Sequence, residues 1–357
     1  MVSRRAVRSR LVVAMRPAAS AENGYVRSLV RELGEAGVEV LEWDDAGCYR
    51  ADVAHVHWPE QAASRSSLAR SFLASVRLLA RCALMRRSGA RLVWTAHNLH
   101  PHENPHPRLM RGHMAIFTAM VDGWILPREA IRRPCSERWP SLSKKPSDVI
   151  PLGHYRDLNR FESAEEPAWL IEALDPARRA SGAVALVFGP VRPYKGVATA
   201  LDVADHLGDL VHLLVVGKVD HRTSEALTTR ARAMSNVTLI DRYVGDKVVP
   251  AILAAVDVQL LPYERVTNSS GALLGLSFGV PVVSTENEAI SELQAEVGED
   301  WVRSSDSVSG LAAAVLDAAN HAPTGTPSLA LHDWDRLVTS TINLYRRLSV
   351  ERGQARP

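Results

Sequence analysis

The chain has 357 residues, 46% of them apolar, and its 42 Lys+Arg against 40 Asp+Glu leave a formal charge of +2. That near balance excludes a chain drawn to nucleic acid by bulk charge, and the length suffices for two domains that each bury a core. With 21 glycines and 20 prolines the composition is far from low complexity, so the chain reads as compact and globular.

The basic start looks like the head of a secretory signal, but the apolar run that follows, Leu11 to Met15, is too short for one and turns into Arg16-Pro17. It reads instead as a first buried strand. No apolar run approaches about 18 residues, so no membrane-spanning helix is expected. The three cysteines, Cys48, Cys82 and Cys135, lack CxxC spacing and suggest neither a disulfide framework nor a zinc site, which fits a cytoplasmic protein.

From there, short β-rich runs alternate with helical stretches, the pattern of βαβ units in a parallel sheet covered on both faces. The first series predicts strands at 11–15, 38–43, 53–58, 91–95 and 123–126, with helices near 25–36, 67–87 and 108–120. Ser141 to Pro167, with three prolines and little periodicity, reads as a linker holding one short strand at Val149-Ile150. The second series predicts strands at 183–188, 212–216, 237–240, 258–261 and 280–284. Its helices are expected near 196–207, 222–234, 247–255, 271–278 and 307–319. The expectation is an α/β protein of two doubly wound, Rossmann-like domains facing a cleft. Residues 1–155 form the first, 156–331 the second, and 332–357 a final helix and tail packing back toward the first.

The richest segment is Phe188-Gly189-Pro190-Val191-Arg192-Pro193-Tyr194-Lys195-Gly196, which follows a strand and opens a helix. Ligands of parallel sheets bind at the carboxyl ends of strands, where a helix N-terminus offers unpaired N–H groups to an anion. Arg192 and Lys195 add full charge there, and a diphosphate is the natural guest. A second such turn runs from Leu261 through Glu264, Ser269, Ser270, Gly271 and Ala272 into the segment ending at Val283. Its small residues admit a phosphate to the backbone, although a serine there is also an ordinary helix cap.

These pieces, together with Asp241-Arg242-Tyr243-Val244, the block SSGALLGLSFGVPVVST and Trp94-Thr95-Ala96-His97-Asn98, resemble the GT-B glycosyltransferases, specifically the family-4-like group and its bacterial exopolysaccharide and antibiotic-type relatives. The resemblance implies a nucleoside diphosphate sugar, UDP- or GDP-linked, lodged in the second domain. It implies an acceptor in the first domain, a glycan or glycolipid, and no further cofactor or metal. Carried over, Gly189, Arg192 and Lys195 meet the diphosphate, and Tyr243 and Val244 hold the nucleobase through their backbone. Glu264, Ser269, Ser270, Gly271 and Ala272 line the phosphate-contacting helix start, and His97 touches the donor sugar.

One departure stands out: the two glutamates that retaining family members carry eight positions apart correspond here to Val266 and Leu274. Retaining chemistry therefore does not follow, and Glu286 and Glu288 are left as replacements for a ribose contact. An inverting transfer needs a general base from the first domain. Glu103 is the first choice because His97 shares its loop, with Glu60 and His102 behind it.

The histidines between His97 and His106 also allow a metal-dependent hydrolase, and the missing glutamates allow a non-catalytic sugar-nucleotide binder. Asp333-Trp334-Asp335 reads as a helix cap rather than a metal motif. Finally, the helix near 66–87 carries Arg65, Arg70, Arg77, Arg81, Arg86 and Arg87 among apolar residues, which reads either as a sheet-covering helix with a solvated basic face or as peripheral association with an anionic membrane at its inner face.

Overall fold

In a computed structural model the described residues are 10–18, 23–97, 105–160, 167–179, 182–220, 223, 225–263 and 270–354. The chain divides into two compact units, Met1–Gly153 with Leu331–Pro357, and His154–Ala330.

In the first unit the strands are β1 (Val12–Arg16), β2 (Glu39–Glu42), β3 (Val53–Val56), β4 (Arg91–Thr95), β5 (Gly123–Leu126) and β6 (Ser147–Val149). They form one parallel sheet in the order β2-β1-β3-β4-β5-β6. Helices α1 (Gly24–Glu35), α2 (Leu68–Ser88), α3 (Pro107–Met120) and α4 (Arg132–Arg138) alternate with the strands. On one face Leu78, Cys82 and Met85 of α2 and Met114 and Phe117 of α3 close over Ala54, Val56, Leu92 and Trp94. The length of α2 is set locally: Ser67 Oγ accepts the Arg70 N–H at 3.3 Å, and Gly89, at φ 113°, ends it in the left-handed conformation.

The chain end belongs to this unit. Helix α12 (Trp334–Gln354) contacts α1, β4 and β6. Gly153 makes room for the Trp334 ring, since a Cβ there would lie 2.3 Å from it, and His332 Nδ1 sits 2.6 Å from the Leu152 carbonyl.

The second unit repeats the plan with β7 (Ala183–Phe188), β8 (Val211–Val216), β9 (Val237–Ile240), β10 (Val258–Leu261), β11 (Val282–Ser284) and β12 (Val302–Ser304). Their order is β12-β11-β10-β7-β8-β9, again parallel. Every residue of β8 is buried, as expected of a central strand covered on both faces. The helices are α5 (Ala168–Arg179), α6 (Val197–Leu207), α7 (Glu225–Ala233), α8 (Val249–Leu253), α9 (Ser270–Ser277), α10 (Glu288–Val297) and α11 (Val308–Asn320).

The structure departs from the sequence-based expectation where the signals are short. The stretch read as a linker is partly built into the first sheet as β6, pinned by Lys145, whose Nζ donates to the Thr118 and Ala119 carbonyls at 2.8 and 2.7 Å. Helix α5, which holds Pro176, and β12, three residues long and too short for a period, are absent from the predicted elements. Helix α10, also not predicted, begins at Glu288 and is capped by Asn287, so Glu288 stands in a first helical turn.

Candidate functional site

In the second unit two turns meet at the carboxyl edge of the sheet. Gly196 stands at φ 65° with its α-carbon against β10's exit, where a Cβ would lie 1.7 Å from the Pro262 carbonyl oxygen. Only glycine combines that conformation with that contact. The turn therefore holds Lys195 beside Tyr263: Nζ donates to the Tyr263 hydroxyl at 3.0 Å and to the Phe188 carbonyl at 3.3 Å, and lies 4.8 Å from the ring centroid. Gly189 and Gly271 border the same group. A Cβ on Gly189 would come within 3.2 Å of Lys195 Nζ, and one on Gly271 within 2.7 Å of the Tyr263 hydroxyl.

Gly189, Lys195 and Gly271 are thus gathered around Tyr263, a residue to which the sequence reading gave no role. Burial opposes the Lys195 charge, but the neighbouring Tyr263 and Tyr194 outweigh it, and its pKa ends above the ordinary lysine value. The site carries a fixed cation at neutral pH.

Arg192 leans elsewhere: its Nε is 3.6 Å from the Asp220 carboxylate, so part of its charge is already met. Ser270 is exposed at the first position of α9, while Ala272 is buried beneath it. Tyr243, 62% exposed, and Val244 follow β9, with β8 between them and β7. Beside them Asp241 is held below the usual carboxylate range by the Val219 N–H at 2.9 Å, and by Lys218. Glu264 and Ser269 lie outside the described residues.

In the first unit the carboxyl edge is built differently. His55 and His57 alternate on one side of β3 and its exit, opposite the face covered by α2 and α3, and each reaches across to β4. His55 Nε2 is 2.7 Å from Thr95 Oγ1, and His57 Nδ1 is 2.8 Å from His97 Nε2. Tyr345 of α12 closes the group, its hydroxyl 2.6 Å from His55 Nδ1. The Trp58 ring stacks on His97 at 4.6 Å, and Tyr25 meets it edge-on at 5.6 Å.

Burial lowers the pKa of all three imidazoles, that of His57 to about 3, and for His55 and His97 mutual repulsion adds to it. They are neutral, fit to share hydrogen bonds and poorly fit to take a proton. Glu60 lies in the short turn after β3, while His102 and Glu103 lie outside the described residues. Among the described residues no group of three or more His, Cys, Asp or Glu is placed to hold a metal ion.

Comparisons with known proteins give the family and the fold. The family model "Glycosyl transferases group 1" matches residues 182–321. The GDP-mannose:glycolipid 4-beta-D-mannosyltransferase of Xanthomonas campestris pv. campestris is 31% identical over 297 residues, covering 81% of this chain and 77% of that one. Among solved structures, sucrose-phosphate synthase from Thermosynechococcus elongatus superposes with a TM-score of 0.65 at 15% identity, covering 96% of this chain and 100% of that one. The Burkholderia vietnamiensis alpha,alpha-trehalose-phosphate synthase (UDP-forming) gives a TM-score of 0.67 at 12% identity, with 96% and 100% covered. At such identities the superpositions speak for the fold alone.

Proposed function

The chain belongs to the GT-B glycosyltransferases, in the family-4-like group 1, and from that premise we propose that it transfers mannose from GDP-mannose to a glycolipid. As a hexosyltransferase of this family it has no place for the hydrolase or the non-catalytic reading. The observation that carries the donor assignment is the convergence of the Gly189–Gly196 turn and the start of α9 on Lys195 and Tyr263. The mannosyltransferase named above supports the choice of base, sugar and acceptor.

In the reaction an acceptor hydroxyl oxygen forms a bond to the sugar C1 while the bond from C1 to the diphosphate oxygen breaks. GDP leaves with the bonding pair, and the hydroxyl proton passes to a carboxylate. Charge grows on the diphosphate as it departs, and Lys195, with Arg192, is the group that offsets it there. No metal is required. We assign the proton to Glu103, with Glu60 and His102 next, since His57 and His97 are held neutral by burial. The product is a β-mannoside, formed from an α-linked donor with inversion. Val266 and Leu274, where retaining members have glutamates, are in keeping with that outcome.

Incubation with GDP-mannose and a short-chain glycolipid should give GDP and a mannosylated lipid whose new linkage is β by NMR. Turnover of UDP-glucose but not GDP-mannose would overturn the donor, and an α linkage the stereochemistry.

We place the acceptor at the inner face of an anionic membrane. The three cysteines are free and buried, in keeping with a reducing compartment, and no helix among the described residues is long and apolar enough to cross a bilayer. Helices α2 and α3 contain no acidic residue. Their outer sides expose Leu68, Phe72, Leu73, Val76, Leu84 and Ile116, with Phe72 at 59%, beside Arg70, Arg77, Arg108 and Arg111. Each such arginine gains about 1 kcal/mol near anionic lipid, and the apolar side chains add a part that salt does not screen. Co-sedimentation with anionic vesicles, absent with neutral ones, is the expected result; dimerisation through this face without vesicle binding would refute it.

A further inference from the structure

Tyr263 stands two residues past the end of β10 and is buried, with 7% of the residue exposed. Its backbone is held by Thr285, whose Oγ1 donates to the Tyr263 carbonyl at 2.6 Å. Its hydroxyl oxygen lies 3.0 Å from Lys195 Nζ. An ammonium has only protons to offer, so in that bond the phenol oxygen accepts and its own proton points elsewhere. Among the described residues the bond from Lys195 is the only one the hydroxyl makes, and nothing accepts its proton.

A buried tyrosine hydroxyl is rarely kept without an acceptor, and its surroundings say what kind fits. A Cβ on Gly271, the second residue of α9, would lie 2.7 Å from the hydroxyl, and one on Gly189 would lie 3.2 Å from Lys195 Nζ. The phenol is thus set between the Gly189–Gly196 turn and the first turn of α9. Ammonium, helix start and phenol O–H are all donors, a set that suits phosphate oxygens. The ammonium also polarises the phenol it binds, which makes the O–H a stronger donor. The fold itself has little use for the hydroxyl, since the ring alone supplies the packing and the cation–π contact at 4.8 Å.

We propose that the Tyr263 hydroxyl is a direct ligand of the donor's diphosphate, accepting from Lys195 and donating to a phosphate oxygen. As the bond from the sugar C1 breaks, charge grows on the diphosphate and that hydrogen bond strengthens, while the proton stays on the phenol. This rests on the donor reading above.

The test is Tyr263→Phe, which keeps the ring and removes the O–H, with affinities measured calorimetrically for GDP, GMP and guanosine. The variant should bind GDP about tenfold more weakly and guanosine as the wild type does, with the thermal midpoint of the free protein unmoved. With GDP-mannose, kcat/KM should fall by about 10². A loss shared by GMP puts the hydroxyl on the α-phosphate, and a loss confined to GDP puts it on the β-phosphate. Should the wild type prefer UDP, the uridine series decides in the same way.

Unchanged GDP affinity and turnover in Tyr263→Phe overturn the proposal while leaving the transferase reading intact. So does an equal loss on all three ligands with a lowered midpoint, which would make the hydroxyl structural. The same change made in Lys195→Ala separates a direct contact from one made through the lysine: a further loss of GDP affinity supports the proposal, and none overturns it. A wild type that binds neither GDP nor UDP defeats the donor reading and the proposal together.

Discussion

The two parallel sheets share an architecture and differ in what stands at their carboxyl edges. The second unit presents an ammonium, Lys195, held by a tyrosine and a backbone carbonyl; the first presents His55, His57 and His97, stripped of charge by burial. The fold supplies the edge in both cases, and a few side chains decide whether it presents a fixed charge or neutral hydrogen-bonding groups. Removing one group from each edge should therefore give unlike defects.

The largest is expected from Lys195→Ala. Loss of a positioned charge that acts mainly as the leaving group departs lowers kcat/KM by about 10²–10³, with the fold retained. Arg192→Ala should cost roughly tenfold less, because Asp220 already takes part of that charge at 3.6 Å. Equal defects in the two variants would refute the difference drawn between them.

Next is Glu103→Gln, which keeps shape and removes the base. A fall of about 10² in transfer, with GDP-mannose affinity intact, is expected. Activity near wild type would pass the role to Glu60 or His102.

Acid should find the first unit out. The His57 pKa is lowered to about 3 from 6.5 by burial, so below pH 6.5 the unfolded chain takes up a proton that the folded state refuses. Stability is whole above that point and drains away as pH falls toward 3; at pH 5 the cost is about 2 kcal/mol for His57 alone. Lys195, shifted upward, stays protonated throughout and adds no such loss. Thermal midpoints at pH 7.5 and 5, with hydrogen exchange to locate the loosening, measure it, and a flat profile would contradict the neutral cluster. The smallest effect is expected from EDTA, which should leave transfer within about twofold of its untreated rate.

Much of this was legible in the sequence for a physical reason. Buried strands such as Ala183–Phe188 and Val211–Val216 are unbroken apolar runs, and glycines with adjacent cations mark a turn that meets an anion. The fold class and the Lys195 turn came from those signals. What a linear reading missed depends on contacts between distant residues. Tyr263 gains its role from Lys195, 68 positions away, and His57 from His97, 40 positions away. The spacing of His55 and His57 by two along one strand was a visible sign of a shared face, but only the register with β4 says what that face meets. Helices α5 and α10 were not assigned: α5 carries an internal Pro176, and α10 is only ten residues long.

The most direct test is the rise in thermal midpoint on adding GDP, measured side by side in wild type, Lys195→Ala and His97→Ala. Saturating ligand at about 100 times its Kd adds roughly 2.7 kcal/mol to the native state. If the second unit's cation receives the diphosphate, wild type and His97→Ala should show the full rise and Lys195→Ala little or none. An equal rise in all three would contradict that division, and a rise lost only in His97→Ala would reverse it.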